Sequence, residues 1–158
     1  MRKFFVRLVI GAAVLLVLAV VVVGYVAVTA GKESKQAKAF GHESVVAITS
    51  NWRAEEMRAR SSPELLASTR PEDLDTMFEL FAKLGPLIDV GESRITSTLV
   101  GAATAGPSAL AHYVVDGRYK SGAARIEMNL VRRGSDWKIS GFQVNSPALL
   151  ESAVGRKT

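Results

Sequence analysis

No cysteine occurs in the 158 residues, which excludes disulfides, thiolate metal sites and a lipoprotein thiol. Histidine is nearly as scarce. His42 lies in a polar stretch and His112 beside Tyr113, with no Asp or Glu at ligand spacing around either, so no metal site is expected. The glycines at 101, 106, 117 and 122 are followed by no Gly-Lys-Ser or Gly-Lys-Thr, which removes a phosphate loop. No nucleophile-elbow pattern is present, and Ser61-Ser62 before Pro63 reads as a helix cap. Glu55 and Glu56 form an adjacent carboxylate pair. Neighbours on a helix point roughly 100° apart, so they do not flank one bond as a glycosidase pair does. No cofactor is implied, and no residue is nominated as catalytic.

Charge is missing from one end. From Leu8 to Gly31 there are 24 residues without a charged side chain, and the excess in the 48% hydrophobic content sits there. At 1.5 Å per residue this run reaches about 36 Å, more than the ~30 Å hydrocarbon core of a bilayer. Setting aside the flanking Arg2, Lys3 and Arg7 leaves 17 basic and 15 acidic side chains, so the net charge of +5 is no nucleic-acid footprint. A cleavable signal peptide competes with an anchor, since Val28-Thr29-Ala30 offers small residues at cleavage spacing. Signal h-regions run only about 7–15 residues, and the length argues for an uncleaved span. Arg2, Lys3, Arg7 and the terminal amine precede the run, while Lys32, Lys35 and Lys38 follow it. The short tail before the span and the large domain after it predict a cytoplasmic N-terminus with the domain outside.

Residues 1–31 are thus read as tail and anchor, 32–40 as a Lys-rich juxtamembrane linker, 41–150 as the domain and 151–158 as a tail. Val45, Ile48 and Trp52 recur at i, i+3 and i+7, which predicts one helix over Glu43 to Arg60 with Glu56 and Arg60 paired on its surface. Ser62-Pro63-Glu64 starts a short helix, and Arg70-Pro71-Glu72-Asp73 starts a longer one. The latter carries Leu74, Met77, Phe78, Phe81 and Leu84 and stops at Gly85-Pro86. Period-two segments follow at Leu87–Val90, Arg94–Ala103, Ala109–Tyr119, Ala123–Arg132 and Trp137–Asn145, separated by glycine turns. Apolar parity in the last one switches across Gly141, which predicts a bulge there. Helices first and strands afterwards give an α+β domain, with helices covering one face of an antiparallel sheet. Trp52, Phe78, Phe81, Trp137 and Phe142 fall on the inward stripes.

Several of these segments together carry a resemblance. They are Val46-Ala47-Ile48-Thr49-Ser50-Asn51-Trp52, Ser62-Pro63-Glu64-Leu65, Leu84-Gly85-Pro86-Leu87, Gly122-Ala123-Ala124-Arg125-Ile126 and Trp137-Lys138-Ile139-Ser140-Gly141-Phe142. Over roughly residues 37–149 the chain resembles bacterial single-span membrane proteins whose outer domain is similar to the cystatin-like cone of the nuclear transport factor 2 superfamily. The resemblance implies a curved sheet, a bacterial inner-membrane location and a periplasmic domain. It implies no activity, because that fold hosts isomerases, dehydratases, binding proteins and secretion scaffolds.

Two functions are carried forward. The first is a non-enzymatic binding or assembly module of the envelope. The acidic helical half, with ten acids and five bases between Glu43 and Glu92, contrasts with a basic strand half, with seven bases and three acids between Ser93 and Ser140. Strand parity puts Arg118, Lys120, Arg125, Arg133 and Lys138 on the outer sheet face, a surface for an acidic envelope partner or anionic lipid headgroups. The second is a membrane-tethered small-molecule binder, or an isomerase- or dehydratase-like enzyme, using the cone interior. Its candidate cavity residues are Tyr113, Asp116 and Tyr119. Asp116 has the opposite parity to both tyrosines, so the trio meets only if Gly117 forms a bulge. A polar cavity in the domain favours the second function, and a filled core with an exposed apolar patch favours the first.

Overall fold

The computed structural model describes residues 2–101 and 108–154. Side chains of 2–16, 25–27 and 152–154, including the flanking cations Arg2, Lys3 and Arg7, lie outside that description. Two compact units divide the chain, Met1–Lys32 and Glu33–Thr158. In the first, helix α1 (Arg2–Thr49) begins and exposes Val17, Leu18 and Val20 to Val23. Among the described residues this is the one helix long and apolar enough to cross a membrane. So many exposed β-branched side chains in sequence fit an apolar solvent rather than water.

The second unit begins earlier than the linker reading placed it. Glu33 and Ala37 are buried and Phe40 packs on the core, so α1 runs into the domain without a break. Its inward stripe is Ala37, Gly41, Ser44, Val45 and Ile48, a helical spacing made mostly of small residues. Small side chains let the helix approach the sheet closely. A Cβ on Gly41 would lie 2.4 Å from the Tyr113 ring.

The single helix expected over Glu43 to Arg60 is in fact two. α1 stops at Thr49, and α2 (Ala54–Arg60) follows a turn in which Trp52 takes a left-handed backbone, φ 52°. The i+7 spacing of Trp52 therefore has a different cause. The turn delivers its ring, which donates from Nε1 to the Gly85 carbonyl at 2.8 Å and packs against Phe81 and Tyr119. That bond and the ring burial offset the cost of a strained conformation. Glu56 and Arg60 do form the expected ion pair.

α3 (Pro63–Ser68) is capped by Ser62, whose hydroxyl accepts from the Leu65 amide at 3.3 Å. α4 (Pro71–Phe81) continues into a 3₁₀ turn at Ala82–Leu84 and ends on Gly85, φ 75°. Phe78, Phe81 and Leu84 are buried as the periodicity requires. A fifth helix, α5 (Pro147–Val154), occupies what the sequence left as domain end and tail. Leu149 buries there.

Among the described residues the antiparallel sheet has five strands: β1 (Leu87–Val90), β2 (Arg94–Val100), β3 (Ala109–Tyr119), β4 (Gly122–Arg133) and β5 (Asp136–Asn145). The expected extension of β2 to Ala103 ends at Val100, and Ala102–Ala103 lie outside the described residues. β1 and β2 both pair with the same edge of β3, end to end, so the sheet is four strands wide. β3 and β4 pair without interruption from Ala109–Arg132 to Tyr119–Gly122. The β5 bulge is present. Asn129 faces Gly141 and Leu130 faces Ile139, leaving Ser140 over. A side chain at Gly141 would meet Asn129 Nδ2 at 2.9 Å, which explains the glycine. The bulge returns Phe142 and Val144 to the inner face beside Met128 and Ile126.

Candidate binding groove

The space between α1 and the inner face of the sheet is filled. Tyr113 and Tyr119 are fully buried between α1 and the sheet, Tyr113 beside Ser93 and Tyr119 beside Thr49. Burial raises both phenol pKa values, and the neighbouring hydroxyls offset this in part. Asp116 is not with them. With no bulge at Gly117, it stands on the outer face, where Arg125 grips it through Nε at 2.8 Å and Nη2 at 3.2 Å. That bidentate contact, helped by Arg94, holds the Asp116 carboxyl below its usual range. Gly117 serves another purpose, since a Cβ there would strike the Tyr119 hydroxyl at 2.8 Å. The three candidate cavity residues are therefore not brought together.

The five bases of the outer face are also separated. Arg118 and Arg125 do project outward, yet Asp89 lies 3.8 Å from Arg118 and Asp116 pairs with Arg125. Lys120 sits in the β3–β4 turn, its amide bonded to the Pro86 carbonyl. At the opposite end Arg133 reaches Glu64 of α3 at 2.8 Å, and Lys138 donates to the Ala59 carbonyl of α2 at 3.3 Å. Arg118, Arg125, Arg133 and Lys138 thus each meet an acid or a carbonyl, several on elements that parity does not reach, while Lys120 is tied down through its backbone. His112 lies on this outer face, bonded to Asn129 at 2.8 Å with Glu127 3.5 Å away. Among the described residues no three His, Asp or Glu side chains cluster as a metal site.

A different concavity is open. It lies where α2, α3 and α4 meet β5, has a volume of about 240 Å³, and is walled by Met57, Leu65, Leu74, Met77, Phe78 and Phe142. Its origin is local. α3 has six residues and buries none of them fully, so its Leu65 and Leu66 line a wall rather than a core. The strand-like stretch before it is fixed to the sheet edge, where the Ser62 amide donates to the Ile139 carbonyl at 2.7 Å. Arg58 braces the far side by bonding Asp75 and the Pro71 carbonyl, tying α2 to α4. Phe142, turned inward by the bulge, stacks on Phe78 with centroids 6.2 Å apart to make the floor. Leu66 and Met77 stand at the mouth, 44% and 41% exposed.

Next to it, sharing Phe78, is a shallower polar hollow with Glu55, Asp75 and Glu79 on its rim. The pair of hollows offers an apolar slot flanked by carboxylates. A dry cavity of ~150 Å³ accommodates benzene, so the slot takes one or two large apolar side chains. The sequence places Leu74, Met77 and Phe78 at one helical spacing, and no periodicity distinguishes an apolar wall from an apolar core. The outlying signal was Leu65-Leu66 in a helix too short to bury both.

Comparison with protein-family models, curated proteins and solved structures finds no match to this chain.

Proposed function

We propose that this chain is a non-enzymatic binding or assembly module of the bacterial envelope, held at the inner membrane by α1, with its N-terminus in the cytoplasm and its domain in the periplasm. The partner's apolar side chains seat in the α2–α3–α4 groove, and basic groups beside them meet Glu55 and Glu79. The observation that carries this reading is the contrast between a filled interior and an open groove. Tyr113 and Tyr119 occupy the space a ligand would need, while Leu66 and Met77 leave apolar surface uncovered. Buried apolar anchors surrounded by charge are the usual carriers of protein–protein affinity. The order of helices and then an antiparallel sheet supports reading the domain as a cystatin-like cone of the nuclear transport factor 2 kind. The binder or isomerase reading has less to rest on, since Asp116 is salt-bridged outside the interior.

Photocrosslinking in intact cells tests this. A photoreactive residue at Leu66 or Met77 is expected to trap one discrete protein, and the same residue at Ser97 on the sheet edge is not. Leu66→Asp with Met77→Asp abolishes the adduct of a probe placed at Leu65. If groove positions yield no product beyond Ser97, the groove is not the binding surface.

A further inference from the structure

The longest stretch without a formally charged side chain after the anchor is Ile95 to Val115, 21 residues that contain most of β2 and β3. Exposed hairpins in water ordinarily carry charge, especially on edge strands. This one instead presents apolar side chains. Leu99 of β2 faces Leu110 of β3, and Leu110 faces Val131 of β4, so the three form a row on the outer sheet face. Leu99 is 66% exposed, and Leu110 and Val100 are each 40% exposed.

The row lies at a particular end of the sheet. One register position away, Arg132 of β4 bonds the buried Glu33 at 3.1 Å and Ser108 at 3.2 Å. Glu33 comes two residues after Gly31, where the uncharged run of the anchor ends. Two residues span about 7 Å at most. The chain therefore enters the domain at the end of the sheet that bears Leu99 and Leu110. Asp116, Arg118 and Arg125 of the outer face stand toward the other end, whereas at this end Lys138, which faces Val131, and Arg133 are drawn to the Ala59 carbonyl and to Glu64 on the helices beside β5.

We propose that the Leu99–Leu110 row is a lipid contact that seats this end of the sheet in the bilayer interface. The inference rests on the reading of α1 as a span and is independent of the groove. A short tether holds the row near the bilayer, and an uncharged hairpin enters the interface without desolvating an ion. Two leucines give marginal, reversible binding by themselves, which the anchor makes effective by holding the local concentration high.

The absence of cysteine permits a direct test on the full chain. Nitroxide labels are introduced singly at Leu99→Cys, Leu110→Cys, Ile88→Cys and Val20→Cys, in vesicles of phosphatidylethanolamine and phosphatidylglycerol. Ile88 is 59% exposed on β1, which pairs with the opposite end of β3, and Val20 lies in the span. Collision rates with oxygen, which partitions into lipid, are compared with those of a water-soluble nickel chelate. The oxygen-to-nickel ratio at 99 and 110 is expected to exceed that at 88 by severalfold and to approach that at 20. A ratio at 99 and 110 equal to that at 88 overturns the lipid contact while leaving the anchor intact. Low access to both reagents means a protein covers the row, which also overturns it. An aqueous signal at 20 removes the span and the lipid contact together.

Discussion

Gly41→Ala sets two effects of known sign against each other. Alanine in a helix interior is favoured over glycine by up to ~1 kcal/mol. Against this, the new methyl would lie 2.4 to 2.7 Å from three atoms of the Tyr113 ring. That ring is fully buried, so it has no open space to enter. Forcing one extra carbon into a packed interior costs roughly 1–3 kcal/mol, and three contacts on a boxed ring place this case at the upper end. The net expectation is a loss of about 2 kcal/mol. Both tryptophans, Trp52 and Trp137, belong to the α+β unit, so their fluorescence in urea reports on it without interference from the apolar N-terminal unit. With a slope of about 1–3 kcal/mol per molar, the urea midpoint of the detergent-solubilised protein should fall by about 1 M. The same substitution in a Tyr113→Ala background, stabilised with sucrose, should become neutral or favourable by up to ~1 kcal/mol. A midpoint unchanged or raised by Gly41→Ala in the parent chain would show that α1 does not lie against Tyr113.

Trp52→Ala and Trp137→Ala are each expected to cost roughly 3–5 kcal/mol. Their effects should add to within ~0.5 kcal/mol, because Trp52 packs on Tyr119 while Trp137 faces Arg132 at the far end of the sheet; a strong coupling in a double-mutant cycle would contradict that register. The Asp116 carboxyl titrates below its unfolded value, so its contribution is present above about pH 4 and is lost as pH falls through the lowered folded value. Asp116→Asn should therefore flatten the acid limb of a stability–pH curve, lowering stability slightly at neutral pH, as befits an exposed pair, and changing nothing once the parent carboxyl is protonated. Tyr113 and Tyr119 titrate above their unfolded value, so the domain loses stability as pH rises beyond about 10, and Tyr113→Phe with Tyr119→Phe should shift alkaline unfolding upward. Leu66→Asp and Met77→Asp, at exposed positions, should leave the unfolding free energy within ~0.5 kcal/mol of the parent while removing the groove adduct.

Local rules sufficed where a residue's neighbours in sequence are also its neighbours in space. The 24-residue uncharged run, the Ser62 cap, the Gly85 stop and the alternation Ala124, Ile126, Met128, Leu130 each follow from steric, dipole or burial preferences acting over a few residues. Even the bulge at Gly141 was written in the sequence, because a parity switch beside a glycine has few other geometric causes. Helix spacing misled at Trp52, where a left-handed turn and a bond to Gly85, 33 residues away, override the periodicity. α5 went unread although Ser146-Pro147 is a fair start signal, and its burial depends on β4 and on the turn after α4.

The sequence by itself determined the apolar helix long enough to span a membrane, the α+β order and the inner face of each strand, since these depend on hydrophobic period and chain length. It did not determine which apolar residues enclose a core and which line a groove. Leu65, Leu66, Met77 and Phe78 are equally apolar on paper, and their exposure is set by how far a six-residue helix stands off from its neighbours. Nor did parity disclose that Arg133 meets Glu64, or that Arg132 meets Glu33 beside the exposed Leu110. Those partners lie far apart along the chain, and only the packing of helices against the sheet brings their charges within a few ångströms.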